Sequence, residues 1–215
     1  MTTEPAAPAI PRSLFAFSIF YGGMVCIAGV LANKQVALGP LGVEAGIFAF
    51  LMLVAASSAV AELFGRPTAN RLVLIGFAPL IFSMALAWLV LKLPAAHDMP
   101  ADRLAAFELI MGSTPRIWAG GIVAYGTSQI LNVTIFSMLK RPGGQLLWLR
   151  AAIASMLSQI VDTFLFITIS FYGEFPIQNL LIGQMLAKLV LSAVLVTPLV
   201  YLFVAVGRSL DRRAG

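Results

Sequence analysis

Six nearly uninterrupted apolar stretches alternate with short polar segments along the chain, at roughly 14–32, 43–62, 71–92, 117–138, 149–172 and 179–206. Each is close to the ~20 residues an α-helix needs to cross the hydrocarbon of a bilayer. None alternates apolar and polar residues with a period of two, the pattern of a membrane barrel, so the spacing predicts helices and argues against strands. Turn chemistry punctuates them: Gly39-Pro40, Gly65-Arg66-Pro67, Arg141-Pro142-Gly143-Gly144 and Gly173 to Pro176. The third connection is the longest. Within it, Pro100 to Met111 puts Leu104, Phe107 and Met111 on one face, away from Asp102 and Glu108, which predicts an amphipathic helix lying at the interface. The expected fold is an all-α membrane protein, a six-transmembrane-helix bundle. Residues 1–12 read as a disordered Pro/Ala-rich leader without a cleaved signal peptide, 13–207 as a single transmembrane domain and 208–215 as a cytoplasmic tail.

Composition agrees with this reading. Of 215 residues, 60% are hydrophobic and 11% charged, against about one-quarter charged in soluble domains, and the mean hydropathy is +0.96. The net charge of +5 reads as topology, not as a nucleic-acid footprint. With the N-terminus cytoplasmic, that side carries Arg12, Arg66, Arg71, Lys140, Arg141, Arg150, Arg208, Arg212 and Arg213, against Lys34, Lys92, Arg103 and Arg116 opposite. Positive charge favours the cytoplasmic face, so both termini are expected there. One cysteine (Cys26) and one histidine (His97) exclude an internal disulfide and a multi-histidine or multi-cysteine metal site.

Charged and amide side chains at bilayer depth cost several kcal/mol unless paired, which makes them functional candidates. Tyr125, Gln129 and Asn132 lie on one face of the fourth span, Ser155, Gln159 and Asp162 on one face of the fifth, and Gln184, Lys188 and Ser192 on one face of the sixth. At about 1.5 Å per residue, Asp162 and Lys188 both lie roughly 15 Å from the outer ends of their spans, and Gln129 shares the layer. Opposite charges at equal depth on antiparallel helices can pair. An Asp–Lys clamp and amide glue between helices form the competing, purely structural reading.

An internal echo joins two of these spans. Ser128-Gln129-Ile130-Leu131-Asn132 resembles Ser158-Gln159-Ile160-Val161-Asp162, and Phe136 and Phe166 each follow four residues later. Consecutive spans run in opposite directions, so the copies would face each other near mid-membrane, the character of an inverted repeat. Pro79 and Pro198 give a weaker match between the third and sixth spans.

Polar residues at span ends, Asn33-Lys34-Gln35 and Glu62 near Arg66 and Arg71, reach water more cheaply and read first as anchors of topology, as do Trp118 and Trp148. No GxxxxGK[ST] loop, paired catalytic carboxylates or Ser/His/Asp set occurs. The chain is therefore expected to be a carrier that uses no cofactor, and not an enzyme.

Several residues also match a family pattern. Ser113-Thr114-Pro115-Arg116-Ile117, Ala124-Tyr125, Gln129, Asn132, Leu147-Trp148-Leu149-Arg150, Ser158-Gln159, Asp162-Thr163, Phe166, Lys188, Thr197-Pro198 and Tyr201, with Glu62-Leu63-Phe64-Gly65 and Arg71, resemble the queuosine precursor transporter family of vitamin-uptake-type carriers. The resemblance covers roughly residues 25 to 205. Ser58 departs from it, standing where the family often has Asp four residues before that Glu.

The resemblance implies a multi-pass protein of the bacterial inner membrane that imports 7-cyano-7-deazaguanine or a related 7-deazapurine for queuosine salvage into tRNA. A carboxylate can accept the N1–H and amino donors of a guanine-like edge, and the expectation is Asp162 or Glu62 there. Gln129, Asn132, Gln159 and Lys188 surround it, Phe136, Phe166 or Tyr125 stacks on the base, and Asn33, Arg71, Arg116 and Arg150 serve gating or topology. The alternatives are a substrate-binding subunit of an energy-coupling-factor importer, with ATPase and coupling partners, and a non-transporting structural protein. Homo-oligomer formation is open, and no nucleic-acid partner is expected.

Overall fold

The computed structural model describes residues 10–38, 41–112, 115–140, 146–174 and 176–212. The turn residues Gly39-Pro40 and Arg141-Pro142-Gly143-Gly144, Ser113-Thr114 of the family motif, most of the expected leader and the last three residues lie outside the described residues. In chain order the elements are α1 (Arg12–Leu31), β1 (Gln35–Leu38), β2 (Leu41–Glu44), α2 (Gly46–Phe64), α3 (Arg66–Lys92), α4 (Ala101–Met111), α5 (Pro115–Met138), α6 (Leu147–Phe171), α7 (Gln178–Leu191), a π-helical turn at Ser192–Val196, and α8 (Thr197–Arg212).

Among the described residues, five segments are long and apolar enough to cross a membrane: α1, α2, α3, α6 and the continuous run Gln178–Arg212. That run holds 35 residues, about 50 Å of helix, so it exceeds the ~30 Å hydrocarbon and carries Arg208, Asp211 and Arg212 beyond it. Residues 208–212 of the expected tail are thus helical. The helix α5 has 24 residues, but Tyr125, Thr127, Ser128, Gln129 and Asn132 dilute its apolar character. It pairs antiparallel with α6, Gly120 lying against Ser170, Ser128 against Asp162 and the Phe136 carbonyl against Arg150.

Two expectations need correction. The absence of period-two alternation argues against strands, yet Gln35–Leu38 and Leu41–Glu44 form an antiparallel hairpin in the register Gln35↔Glu44, Val36↔Val43, Ala37↔Gly42 and Leu38↔Leu41. The second span, expected from residue 43, begins at Gly46 because Val43 and Glu44 belong to β2. Backbone N–H and C=O groups near the hydrocarbon need partners, and in this connection a hairpin supplies them. Ala45 N–H extends the ladder to the Lys34 carbonyl at 2.8 Å.

The centre of the bundle is α2. Its run Val54 to Ala61 is buried throughout, and small side chains there let α1, α3, α5 and α8 all pack on it. One residue, Gly65, joins α2 to α3 at φ +83° and ψ 165°, a backbone region that favours glycine. The chain ends meet where Asp211 accepts from the backbone N–H of Ser13 (3.0 Å) and from its hydroxyl (2.7 Å), which satisfies an open donor in the first turn of α1. The two prolines matched between the third and sixth spans, Pro79 and Pro198, behave differently. Through Pro79 α3 is continuous, whereas the run containing Pro198 widens into the π turn just before it.

At Gly46 a Cβ would lie 2.8 Å from the Ala28 carbonyl oxygen and 3.0 Å from the Ala32 Cβ. Gly46→Ala should therefore lower the melting temperature in detergent, the clash of about 1–3 kcal/mol outweighing a helix-propensity gain of about 0.5–1 kcal/mol. A raised melting temperature would show that α1 and α2 are not in backbone contact there.

Candidate functional site

A cavity of about 440 Å³ enters the bundle between the C-terminal ends of α1, α3 and α6, the N-terminal ends of α2 and α5, and β2 and α7. This volume lies within the ~300–1,000 Å³ of small-molecule sites. Its wall is mostly apolar and aromatic, with Phe50, Trp118, Phe166 and Phe171, and its charged lining residues among those described are Glu44, Asp162 and Lys188. Asp162 and Lys188 each lie about nine or ten residues from their helix ends, roughly 15 Å in, so these two groups are near mid-bilayer depth.

The pair expected from equal depth is formed. Lys188 Nζ lies 3.3 Å from Asp162 Oδ2, and the Ser128 hydroxyl donates to Asp162 Oδ1 at 3.2 Å. Both residues are less than a tenth exposed, so each charge depends on the other for compensation. The Ser128–Asp162 bond joins the two halves of the internal echo across the α5–α6 contact. Tyr125 lines the cavity, its hydroxyl 3.1 Å from both the Val73 carbonyl and the Tyr21 hydroxyl. Phe166 lines it too, edge-on to Phe171 with ring centroids 6.0 Å apart.

The expected amides lie in a second layer, outside the cavity lining and further toward the chain termini. Gln129 Oε1 accepts from Tyr21 at 3.4 Å and from Ser57 at 3.3 Å, while Asn132 donates to Ser57 at 3.4 Å and to Ser58 at 3.1 Å. Both amide atoms of Gln159, with Gln129 Nε2, Asn132 Oδ1 and Thr163 Oγ1, are buried without hydrogen-bond partners among the described residues.

Glu62, expected beside Asp162 at the base edge, is not among the residues that line the cavity. It pairs with Arg150 at 3.0 Å and Lys140 at 3.5 Å, and not with Arg66 or Arg71. Arg150 is 3% exposed, stacks on the Phe136 ring at 4.2 Å and donates to the Phe136 carbonyl at 3.1 Å. Arg66 donates to Thr134 at 3.2 Å, and Arg71 is exposed on α3. At the opposite end, Arg116 pairs with Glu174 at 3.3 Å and donates to the carbonyls of Ile169 and Tyr172, closing the end of α6. Asn33 lines the cavity and donates to Ile110 of α4 at 3.3 Å.

Sequence reasoning missed Glu44, Tyr21 and Ser57. Glu44 is the telling omission, since it stands inside the 43–62 stretch and an acid within an apolar span is itself a signal. Burial pushes its carboxyl above the usual carboxylate range, while the Lys188 ammonium pulls it down and Asp162 pushes it up.

The family described as "Putative vitamin uptake transporter" matches residues 44–203. A "Probable queuosine precursor transporter" of Bacillus subtilis (strain 168) is 30% identical over 161 residues, covering 74% of this chain and 69% of the relative. A "Queuosine precursor transporter" of Escherichia coli (strain K12) is 25% identical over 162 residues, covering 75% of this chain and 70% of the relative. No solved structure matches.

Asp162→Asn alone leaves the Lys188 ammonium buried without its carboxylate, a loss of about 3–5 kcal/mol. Asp162→Asn combined with Lys188→Met should recover much of that loss in thermal unfolding. Additive losses would mean that the pair is not coupled.

Proposed function

The chain belongs to the vitamin uptake transporter family, a multi-pass membrane carrier and not an enzyme, and from that premise we propose that it imports queuosine precursors of the 7-deazaguanine type. The observation that carries the reading is the cavity itself. It is a mostly apolar pocket of about 440 Å³, with Phe50, Trp118, Tyr125, Phe166 and Phe171 in its wall, that ends at mid-membrane on a buried ion pair. A flat, amphipathic heterocycle fits this chemistry, with its faces against Phe166, Tyr125 or Trp118 and its polar edge toward the charged groups.

In this reading α5 is a sixth crossing and both termini are cytoplasmic, so the cavity faces outward. The terminal side is shut by Glu62–Arg150–Lys140, by Arg66–Thr134 and by Ser13–Asp211. Import requires that side to open while the mouth near Asn33 and Arg116 closes, the alternating access of a single-site carrier. The unpartnered polar atoms of Gln159, Gln129 and Asn132 are the groups a substrate meets next on its way in. Buried polar atoms without partners are costly at rest, and a passing heterocycle offers them partners.

The test is uptake. Cells that cannot make 7-cyano-7-deazaguanine and lack their own importer are given the precursor, and queuosine in tRNA is assayed. The expected result is restoration by this chain alone. Loss of uptake in Asp162→Asn, of about tenfold or more for a lost charge-assisted bond, and loss in Gln159→Ala, for a lost amide partner, are expected while both proteins remain inserted. Normal uptake in both variants would remove the site assignment, and restoration only when an ATPase partner is supplied would favour an energy-coupling-factor subunit. Glu62→Gln, which deprives the buried Arg150 of its carboxylate, should increase maleimide labelling of a cysteine introduced at Ser58 from the terminal side, in a Cys26→Ala background. Unchanged labelling would show that the cluster does not gate.

A further inference from the structure

We propose that Glu44, carried into the cavity by the β1–β2 hairpin, is the carboxylate that recognises the paired N–H donors of the guanine-type edge, and that Asp162 serves to hold Lys188. The inference rests on the reading of the cavity as the precursor site.

The argument compares the two carboxylates. Reading an N1–H and an adjacent amino group in bidentate fashion needs two carboxylate oxygens open on the same side. Asp162 has both oxygens engaged, Oδ1 by the Ser128 hydroxyl and Oδ2 by Lys188. The four ion pairs among the described residues leave out Glu44, although it lines the same cavity. With Asp162 and Lys188 cancelling, the charged lining residues carry one uncompensated negative charge, on Glu44. A half-buried carboxylate with no ion-pair partner still bears part of the cost of desolvation, and a ligand that supplies two donors removes that cost. The raised proton affinity of Glu44, caused first by burial, is the same deficit of donors seen from the carboxylate.

Placement supports the assignment. Glu44 ends β2, which packs against α7, and Gln35 opposite it closes the hairpin at its first rung. Gly46, two residues on, is locked against the Ala28 carbonyl. The carboxylate is therefore held on a fixed backbone between α1 and α7, and a fixed receptor discriminates between donor patterns better than a mobile one.

The test is a cycle between side chain and ligand. The purified full chain in nanodiscs is titrated calorimetrically with 7-cyano-7-deazaguanine and with its analogue lacking the 2-amino group. The wild type is expected to prefer the 2-amino ligand by about tenfold or more, the worth of a charge-assisted hydrogen bond. Glu44→Gln should erase that preference while still binding the desamino analogue, more weakly than the wild type because its N1–H loses a charged acceptor, and Glu44→Asp, which keeps the charge, should retain part of the preference. Asp162→Asn should keep the preference even where overall affinity falls. Loss of the preference in Asp162→Asn with its survival in Glu44→Gln would overturn the proposal and return the edge to Asp162. If Glu44→Gln binds neither ligand, a Glu44→Asp variant without preference also overturns it. A wild type that binds neither ligand overturns the functional reading, and this assignment with it.

Discussion

Charge that has been taken out of water needs a partner, and in a bilayer the partner has to come from the protein itself. Two ion-pair clusters of this molecule are built on that constraint. At mid-depth Lys188 and Asp162 compensate each other across α6 and α7, and toward the termini Arg150 and Lys140 converge on Glu62. Neither cluster needs to make the fold more stable than an apolar replacement would, since desolvation consumes most of the Coulombic gain. Each does make one arrangement of helices much better than its neighbours, because sliding a helix by one turn would leave a bare charge in hydrocarbon.

Between these clusters the chain uses small side chains and hydroxyl groups. The Ala-Ala-Ser-Ser-Ala run of α2 lets other helices approach closely, and Ser57 and Ser58 hold the amides of Gln129 and Asn132. The same layer leaves several amide and hydroxyl atoms without partners among the described residues, a costly arrangement in a helix clamp. A carrier must avoid being satisfied too well in any one state, because each contact made on one side has to be broken on the other.

The helices were legible in the sequence because hydropathy is a local property. The stretch expected at 71–92 lies within Arg66–Lys92, and the one expected at 117–138 within Pro115–Met138. The Asp162–Lys188 pair was legible as well, since depth along a straight helix is only a count of residues. The hairpin was not. Four-residue strands carry too little periodicity to stand out beside an apolar span, and Glu44 was absorbed into that span. The partner of Glu62 was equally hidden, because proximity in sequence to Arg66 and Arg71 says little once a single glycine at φ +83° turns α3 away.

What the sequence determined by itself is the class of molecule, the number of apolar stretches, the depth of each polar residue and the face of the helix on which it lies. These follow from composition and from the 3.6-residue period, which no tertiary contact can alter. The tertiary structure alone decided which faces meet. It separated the amide layer from the cavity, sent Glu62 to Arg150, and left Glu44 rather than Asp162 with an open carboxylate. Rotation of helices about their axes, and the folding of a short connection onto α7, depend on packing summed over the whole bundle, and a linear pattern of residues does not carry that sum.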